Sequence, residues 1–253
     1  MSVTSRYRDA WEGFWSEAPA EPGSVIWDAE PAITAERHLA LFRPHLHDPG
    51  LPVVDLGCGN GRQTRFLAEH FPRALGVDLS GTAVELARRQ DPAGRAEYAQ
   101  LDATDPAAVR ALHERLGDAN VYVRGVIHQS EPADRGRVAE GVATLLGQRG
   151  RAFLVELAES AKEVLRGLAQ APAGPPAKLR PVFAHGLAPA EVADAAFDGL
   201  FRSAGLAVLA SGEMPLSLTE FTAEGGRIEL PAWWLAVGPD GTDGTNGPEH
   251  GPR

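Results

Sequence analysis

In residues 53–64, VVDLGCGNGRQT, an apolar run carries Asp55 and gives way to Gly57, Gly59 and Gly61 at alternate positions. Glycines between a strand and a helix let backbone N–H groups approach a ligand closely, and the start of the helix favours an anionic group on that ligand. Two phosphate-binding patterns fail here. The dinucleotide pattern G-x-G-x-x-G needs glycine where Arg62 stands, and the nucleoside-triphosphate pattern needs a lysine that the loop lacks. Asp55 beside the loop would repel a pyrophosphate. What remains is a ligand with an adenosine part and no pyrophosphate. Two more acids close later apolar runs, Asp78 in ALGVDLS and Asp102 in AEYAQLD. A carboxylate can accept from both ribose hydroxyls or from an exocyclic amine. His128, in RGVIHQ, is the side chain suited to removing a proton near neutral pH. A histidine at such a place can equally be a packing residue, and Glu156, in RAFLVEL, reads as a satisfied strand-end carboxylate.

The elements that must position these groups follow from periodicity. From Pro52 onward, short runs rich in β-formers (PVVDLG, ALGVDLS, AEYAQLD, NVYVRGVIHQ, RAFLVELA) alternate with helical patterns over 62–71, 81–90, 105–117 and 134–147. Ser80 is placed to cap the second of these helices, and Pro106 falls early in the third. Val109, Leu112 and Leu116 share one helix face. Alternating strands and helices of this kind build a parallel sheet. After a helix over 158–170 and the proline-rich APAGPPAKLRP, a helix over 189–205 leads into strands 206–218 and 228–238. Consecutive strands without a helix between them imply an antiparallel hairpin at the sheet edge. The expected fold is α/β: a doubly wound, mostly parallel seven-stranded sheet with that C-terminal hairpin.

Upstream, Tyr7, Trp11 and Trp15 recur at four-residue steps, one aromatic stripe on a helix, with Trp27 following and a second helix over 31–46. Such a stripe packs as core, and placed before the first strand it can also close a pocket over the strand ends. The expected organisation is an N-terminal helical lid over 1–48, a ligand-binding domain over 49–239 and a disordered tail over 240–253, rich in glycine and polar residues.

The chain has 253 residues, 43% apolar content and a formal net charge of -10, with a pI near 5.3. The acidic balance argues against nucleic acid or an anionic membrane as partner. The single cysteine, Cys58, excludes an internal disulfide and a cysteine-based zinc site. No stretch reaches the ~20 continuous apolar residues of a spanning helix. The N-terminus carries charges and aromatics where a signal peptide is apolar, so a cytoplasmic location is expected.

The glycine loop in VVDLGCGNG, with acids in LGVDLS and AQLDATD and the fourth run VYVRGVIHQ, resembles the class I S-adenosylmethionine-dependent methyltransferases. The resemblance covers residues 50–160 in motif detail and implies the same Rossmann-like fold and S-adenosylmethionine as cofactor. It implies that the backbone of Gly57, Cys58 and Gly59 surrounds the methionyl part, and that Asp55 orders the loop and faces the cofactor's cationic end. Asp78 takes the ribose hydroxyls, Leu79 lies against adenine, Asp102 and the Ala103 N–H read the adenine edge, and backbone around Arg124 completes the methionyl site. It also matches His128 to the spot where small-molecule methyltransferases often carry a histidine, which makes His128 the candidate catalytic base.

The fourth run lacks the clustered acids of metal-assisted catechol methylation, so no metal is expected. It also lacks the Asn/Asp-Pro-Pro-aromatic signature of enzymes that methylate nucleobase or glutamine amines. The expected substrate is a small organic molecule, accepting at O, N or C, with Tyr7, Trp11, Trp15 and Trp27 against it. A monomer or homodimer is expected. A cofactor-binding protein of the same fold without transferase activity, and a nicotinamide-dependent oxidoreductase, are the rival readings; Arg62 weakens the second.

Overall fold

The computed structural model describes residues 3–170, 174–187, 193–222 and 225–240; the tail expected over 240–253 lies, from 241 on, outside the described residues. The described elements are α1 (Val3–Glu17), α2 (Ala35–Phe42), β1 (Val53–Leu56), α3 (Arg62–Leu67), β2 (Ala74–Asp78), α4 (Gly81–Gln90), β3 (Glu97–Gln100) and α5 (Pro106–Leu116). They continue with β4 (Asn120–Arg124), α6 (Arg135–Leu146), β5 (Ala152–Leu157), α7 (Ala161–Ala169), α8 (Arg180–Ala184), α9 (Asp194–Ser203), β6 (Leu206–Phe221) and β7 (Arg227–Pro239). The seven strands form one sheet in the order β3-β2-β1-β4-β5-β7-β6. β1 to β5 pair in parallel, and β7 runs antiparallel to both β5 and β6. This is the doubly wound fold with an edge hairpin that the strand and helix patterns imply.

The apolar runs are continuous because both faces of the sheet are covered. Val53, Phe153 and Val155 belong to one core with Phe14, Trp15, Leu39 and Phe42. Their neighbours Val54, Ala152 and Leu154 belong to the other, with Val138, Val142 and Phe201. The N-terminal segment therefore shares a core with the sheet. Ser80 caps α4 by accepting from the Ala83 N–H at 3.1 Å, and Asp105 caps α5 through Ala107 and Ala108.

Several elements differ from the sequence expectation; α3, expected to residue 71, ends at Leu67, and α7, expected from 158, begins at Ala161. The fourth strand stops at Arg124, five residues short of the expected end, because Gly125 turns the chain at φ 73°. The helix over 31–46 is split: a 3₁₀ turn at Pro31–Ile33, a non-helical Thr34, α2, then a 3₁₀ turn at Arg43–His45 containing Pro44. Of the helix expected over 189–205, α9 is described from Asp194, and residues 188–192 lie outside the described residues.

The order of strands puts β1 between β2 and β4, whose connections wind in opposite directions. The carboxyl ends of β1 and β4 thus frame the crevice where open α/β sheets bind ligands.

Candidate active site

A cavity of about 220 Å³ opens at that crevice. Its floor begins with the loop after β1. Gly57 has φ 78° and Gly59 φ 53°. A Cβ at Gly57 would lie 2.4 Å from Val126 Cγ2, and one at Gly59 would lie 2.8 Å from Trp15 Cζ2. The glycines are thus required both by the turn and by side chains packed onto the loop. The N–H groups of Gly57 and Cys58 donate to the Val77 carbonyl, tying the loop to β2. Cys58 lines the cavity and is largely buried, which pushes its thiol up from the ordinary value.

The three strand-end acids are held differently. Asp55 is not in the cavity wall: it lies behind the loop, buried, and accepts from Thr64 Oγ1 at 2.6 Å. Burial pushes its carboxyl up to about 6, against the Thr64 hydrogen bond and the Arg124 charge. There it holds the loop through Thr64. Asp78 lines the cavity and accepts the Gly59 N–H and the Ser80 N–H, each at 2.9 Å. Burial raises it too, to about 6, against the hydrogen bonds from Ser80 and Gly59. Asp102 accepts from the Thr104 N–H and hydroxyl on one oxygen and from Arg8 at 2.8 Å on the other. Leu79 and Ala103 line the wall beside these acids.

Helix α1 crosses this end of the cavity, and Tyr7, Trp11, Trp15 and Trp27 all line it. The rings of Trp11, Phe14 and Trp27 meet at centroid distances between 5.1 and 5.8 Å, so the stripe is both core and wall. Two residues that sequence reading passes over hold α1 down. Glu12 accepts from the N–H groups of Gly81 (2.6 Å) and Thr82 (3.0 Å) and from the Ser80 hydroxyl (3.0 Å), capping α4 from another helix. Burial alone would raise Glu12; these hydrogen bonds outweigh it and leave the carboxyl below its ordinary value. Arg8, one turn earlier, makes the ion pair with Asp102. Further along, Arg124 donates to the Trp27 carbonyl at 2.9 Å and Arg62 to the Asp28 carbonyl at 2.7 Å. Thr219 of β6 donates its N–H to the Ile26 carbonyl at 2.8 Å, and its hydroxyl lies 3.0 Å from the Val25 carbonyl.

His128 lies in the β4–α6 loop, 6% exposed, and its ring lines the cavity. Its Nδ1 is 2.5 Å from Oε2 of Glu156, which is itself 2% exposed at the end of β5. The Glu156 carboxylate also accepts the N–H groups of Val126, Ile127 and His128 at 2.8 to 3.1 Å. One buried carboxylate therefore fixes both the loop and the ring. A carboxylate only accepts, so Nδ1 donates, and in the neutral ring the lone pair sits on Nε2. Tyr7 donates to Gln129 at 3.2 Å across the lid, and burial pushes its phenol up from the ordinary value. Beyond His128 the cavity continues between apolar side chains of α7, α8 and the hairpin, including Leu165, Val182, Leu216 and Leu230. The arrangement joins a polar, acid-bearing end to an apolar end, with one oriented imidazole on the wall. Among the described residues no group of three or more His, Cys, Asp or Glu is placed to hold a metal ion.

Residues 53–150 match the family model described as a methyltransferase domain. That domain and the similar proteins below support a class I S-adenosylmethionine-dependent methyltransferase. Its structure is similar to that of an S-adenosylmethionine-dependent methyltransferase from Anabaena variabilis ATCC 29413, with 29% identity, a TM-score of 0.85, and 94% of this chain and 96% of that one covered. It is 48% identical over 52 residues to trans-aconitate 2-methyltransferase of Paracidovorax citrulli (strain AAC00-1), a stretch of 20% of this chain and only 19% of that protein's length. The fold is shared with the 1,6-didemethyltoxoflavin-N1-methyltransferase of Burkholderia thailandensis, at 18% identity and a TM-score of 0.59, over 94% of this chain and 90% of that one.

Proposed function

We propose that this protein transfers the methyl group of S-adenosylmethionine to a small organic acceptor, with His128 as general base. Asp78 takes the ribose hydroxyls, Asp102 and the Ala103 N–H take the adenine edge beside Leu79, and the backbone of Gly57, Cys58, Gly59 and Arg124 surrounds the methionyl part. The support for this is that all of these residues line one cavity at the β1–β4 crevice, with two carboxylates available to accept hydroxyl and amine protons. Asp55 acts behind them by holding the loop through Thr64.

Held by these residues, S-adenosylmethionine would supply an electrophilic methyl on a sulfonium to a lone pair of the acceptor. The chain's task is positioning and exclusion of water, plus proton removal where the acceptor is protonated. The proton passes from the acceptor atom to Nε2 of His128, and Glu156 holds the ring and stabilises the imidazolium. Helix α1 and Trp27 close the polar end. The observation that carries this reading is His128 on the cavity wall, its Nδ1 fixed by the buried Glu156 behind it. The proteins it is similar to are named for small acceptors, trans-aconitate and 1,6-didemethyltoxoflavin.

The test is incubation with S-adenosylmethionine and a library of small acceptors, with S-adenosylhomocysteine and methylated product read by mass spectrometry. Product is expected from a small molecule. Tight binding of S-adenosylhomocysteine with no turnover on any acceptor would favour a binding protein of the same fold.

A further inference from the structure

From the charges in the cavity wall we infer that the acceptor is an aromatic molecule, neutral or cationic, such as a phenol or a nitrogen heterocycle, and that carboxylate acceptors are rejected. This rests on the proposed methyl transfer and narrows it. Three features of the wall carry it.

The wall has the wrong sign for an anion. Among the described residues its ionisable side chains include the carboxylates of Asp28, Asp78, Asp102, Glu131 and Asp134, against one lining guanidinium, Arg124, and no lysine; from outside the wall Arg62, Arg8 and Arg137 pair with Asp28, Asp102 and Asp134. Arg124 is already engaged, with Nη1 on the Trp27 carbonyl and its charge acting on Asp55. Near His128, burial raises the Tyr7 phenol first, and the charges of Glu131 and Glu156 raise it further against that of Arg135. A carboxylate brought there meets like charge in a partly dehydrated space.

The backbone offers no substitute. Successive N–H groups in a turn make a ready anion site. Here the N–H groups of Val126, Ile127 and His128 do converge on an anion, but that anion is the protein's own Glu156. The N-terminus of α4 is likewise taken by Glu12. Both of these N–H clusters are thus occupied by the protein's own carboxylates.

The remaining surface suits a flat apolar body. Tyr7, Trp11 and Trp27 face the cavity from the lid, and Leu165, Val182 and Leu216 from the far side. Aromatic and aliphatic walls with an acidic rim favour an aromatic ring, and favour it more when the ring carries positive charge.

The test uses the full chain with S-adenosylhomocysteine bound and matched acceptors differing in charge: methyl 4-hydroxybenzoate, 4-hydroxybenzoate, tyramine and trans-aconitate. Binding is read by quenching of tryptophan fluorescence, since Trp11 and Trp27 line the cavity, and turnover by S-adenosylhomocysteine release from S-adenosylmethionine. The neutral and cationic aromatics are expected to bind at least about tenfold more tightly than either carboxylate, and Glu131→Gln is expected to narrow that gap. Equal or tighter binding of the carboxylates, an unchanged gap in the variant, or no binding by any aromatic overturns the inference. If none of the four turns over, the binding series still decides the charge preference, and the library incubation decides methyl transfer separately.

Discussion

His128 and Glu156 come from different segments, the loop after β4 and the end of β5, and meet at 2.5 Å, both largely buried, with His128 on the cavity wall and Glu156 behind it. The carboxylate is saturated: three backbone N–H groups and one imidazole N–H converge on it. His128→Ala or →Gln is expected to lower turnover about 10²- to 10⁴-fold while S-adenosylhomocysteine affinity, measured by calorimetry, stays unchanged. Turnover at the wild-type level would return His128 to a packing role.

Glu156→Gln keeps the size of the side chain and removes its charge. The variant is expected to lose about 1.5–3 kcal/mol of stability from weakened charge-assisted hydrogen bonds, and to lose kcat while cofactor affinity holds. A lowered melting temperature with unchanged kcat would make Glu156 a purely structural anchor of the loop.

Asp78 gives a prediction in two parts. Asp78→Ala is expected to weaken cofactor binding by roughly 1.5–3 kcal/mol through loss of the ribose acceptor; wild-type affinity would remove it from the site. In the ligand-free protein Asp78 and Asp55 titrate near 6, above the ordinary value of 3.8. Between those values the folded state binds protons that the unfolded state has released, so these two groups make stability fall as pH rises from about 4 to about 6. A cationic cofactor favours ionised Asp78, so its affinity is expected to rise over the upper part of that window. Calorimetry at pH 5, 6, 7 and 8 checks this; a flat profile contradicts it.

Glu12 holds the lid to the N-terminus of α4. Its carboxyl lies below the ordinary value, so its contribution to docking is complete above the ordinary carboxylate range and is lost as pH falls through the depressed value. Glu12→Ala is expected to speed tryptic cleavage after Arg8 and to raise KM for S-adenosylmethionine with a smaller effect on kcat. Cleavage at the wild-type rate would mean that the aromatic cluster alone holds α1.

Gly59→Ala tests the loop. The new methyl must sit at φ 53° and 2.8 Å from Trp15, and about 1–3 kcal/mol of destabilisation is expected in chemical unfolding, together with weaker cofactor binding. A neutral effect would show that Trp15 can move away from the loop.

The parallel sheet and its glycine loop are legible in sequence because neighbours in the chain set them: apolar runs, caps such as Ser80 and Asp105, and turn glycines. The edge hairpin is legible for the same reason. What escapes is whatever depends on partners distant in the chain. Glu12 reads as one more charge beside an aromatic stripe, because its donors lie 68 to 70 residues away. Arg8 is hidden likewise, its partner Asp102 being 94 residues on. Glu156 is recognisable as a satisfied carboxylate, but what satisfies it is the loop that carries His128, 28 residues earlier. Asp55 looks equivalent to Asp78 and Asp102 in sequence; the hydrogen bond from Thr64 and the geometry of the turn put it behind the wall.

The tie between Thr219 and the carbonyls of Val25 and Ile26 joins residues 193 and 194 apart. It means that the two ends of the chain finish the acceptor chamber together. A growing polypeptide has the glycine loop and all three strand-end acids once β3 is made, but the far wall waits for the hairpin to arrive and grip the lid loop. The cofactor's cradle is made of local, early structure. The far wall of the cavity is built from the most distant parts of the sequence.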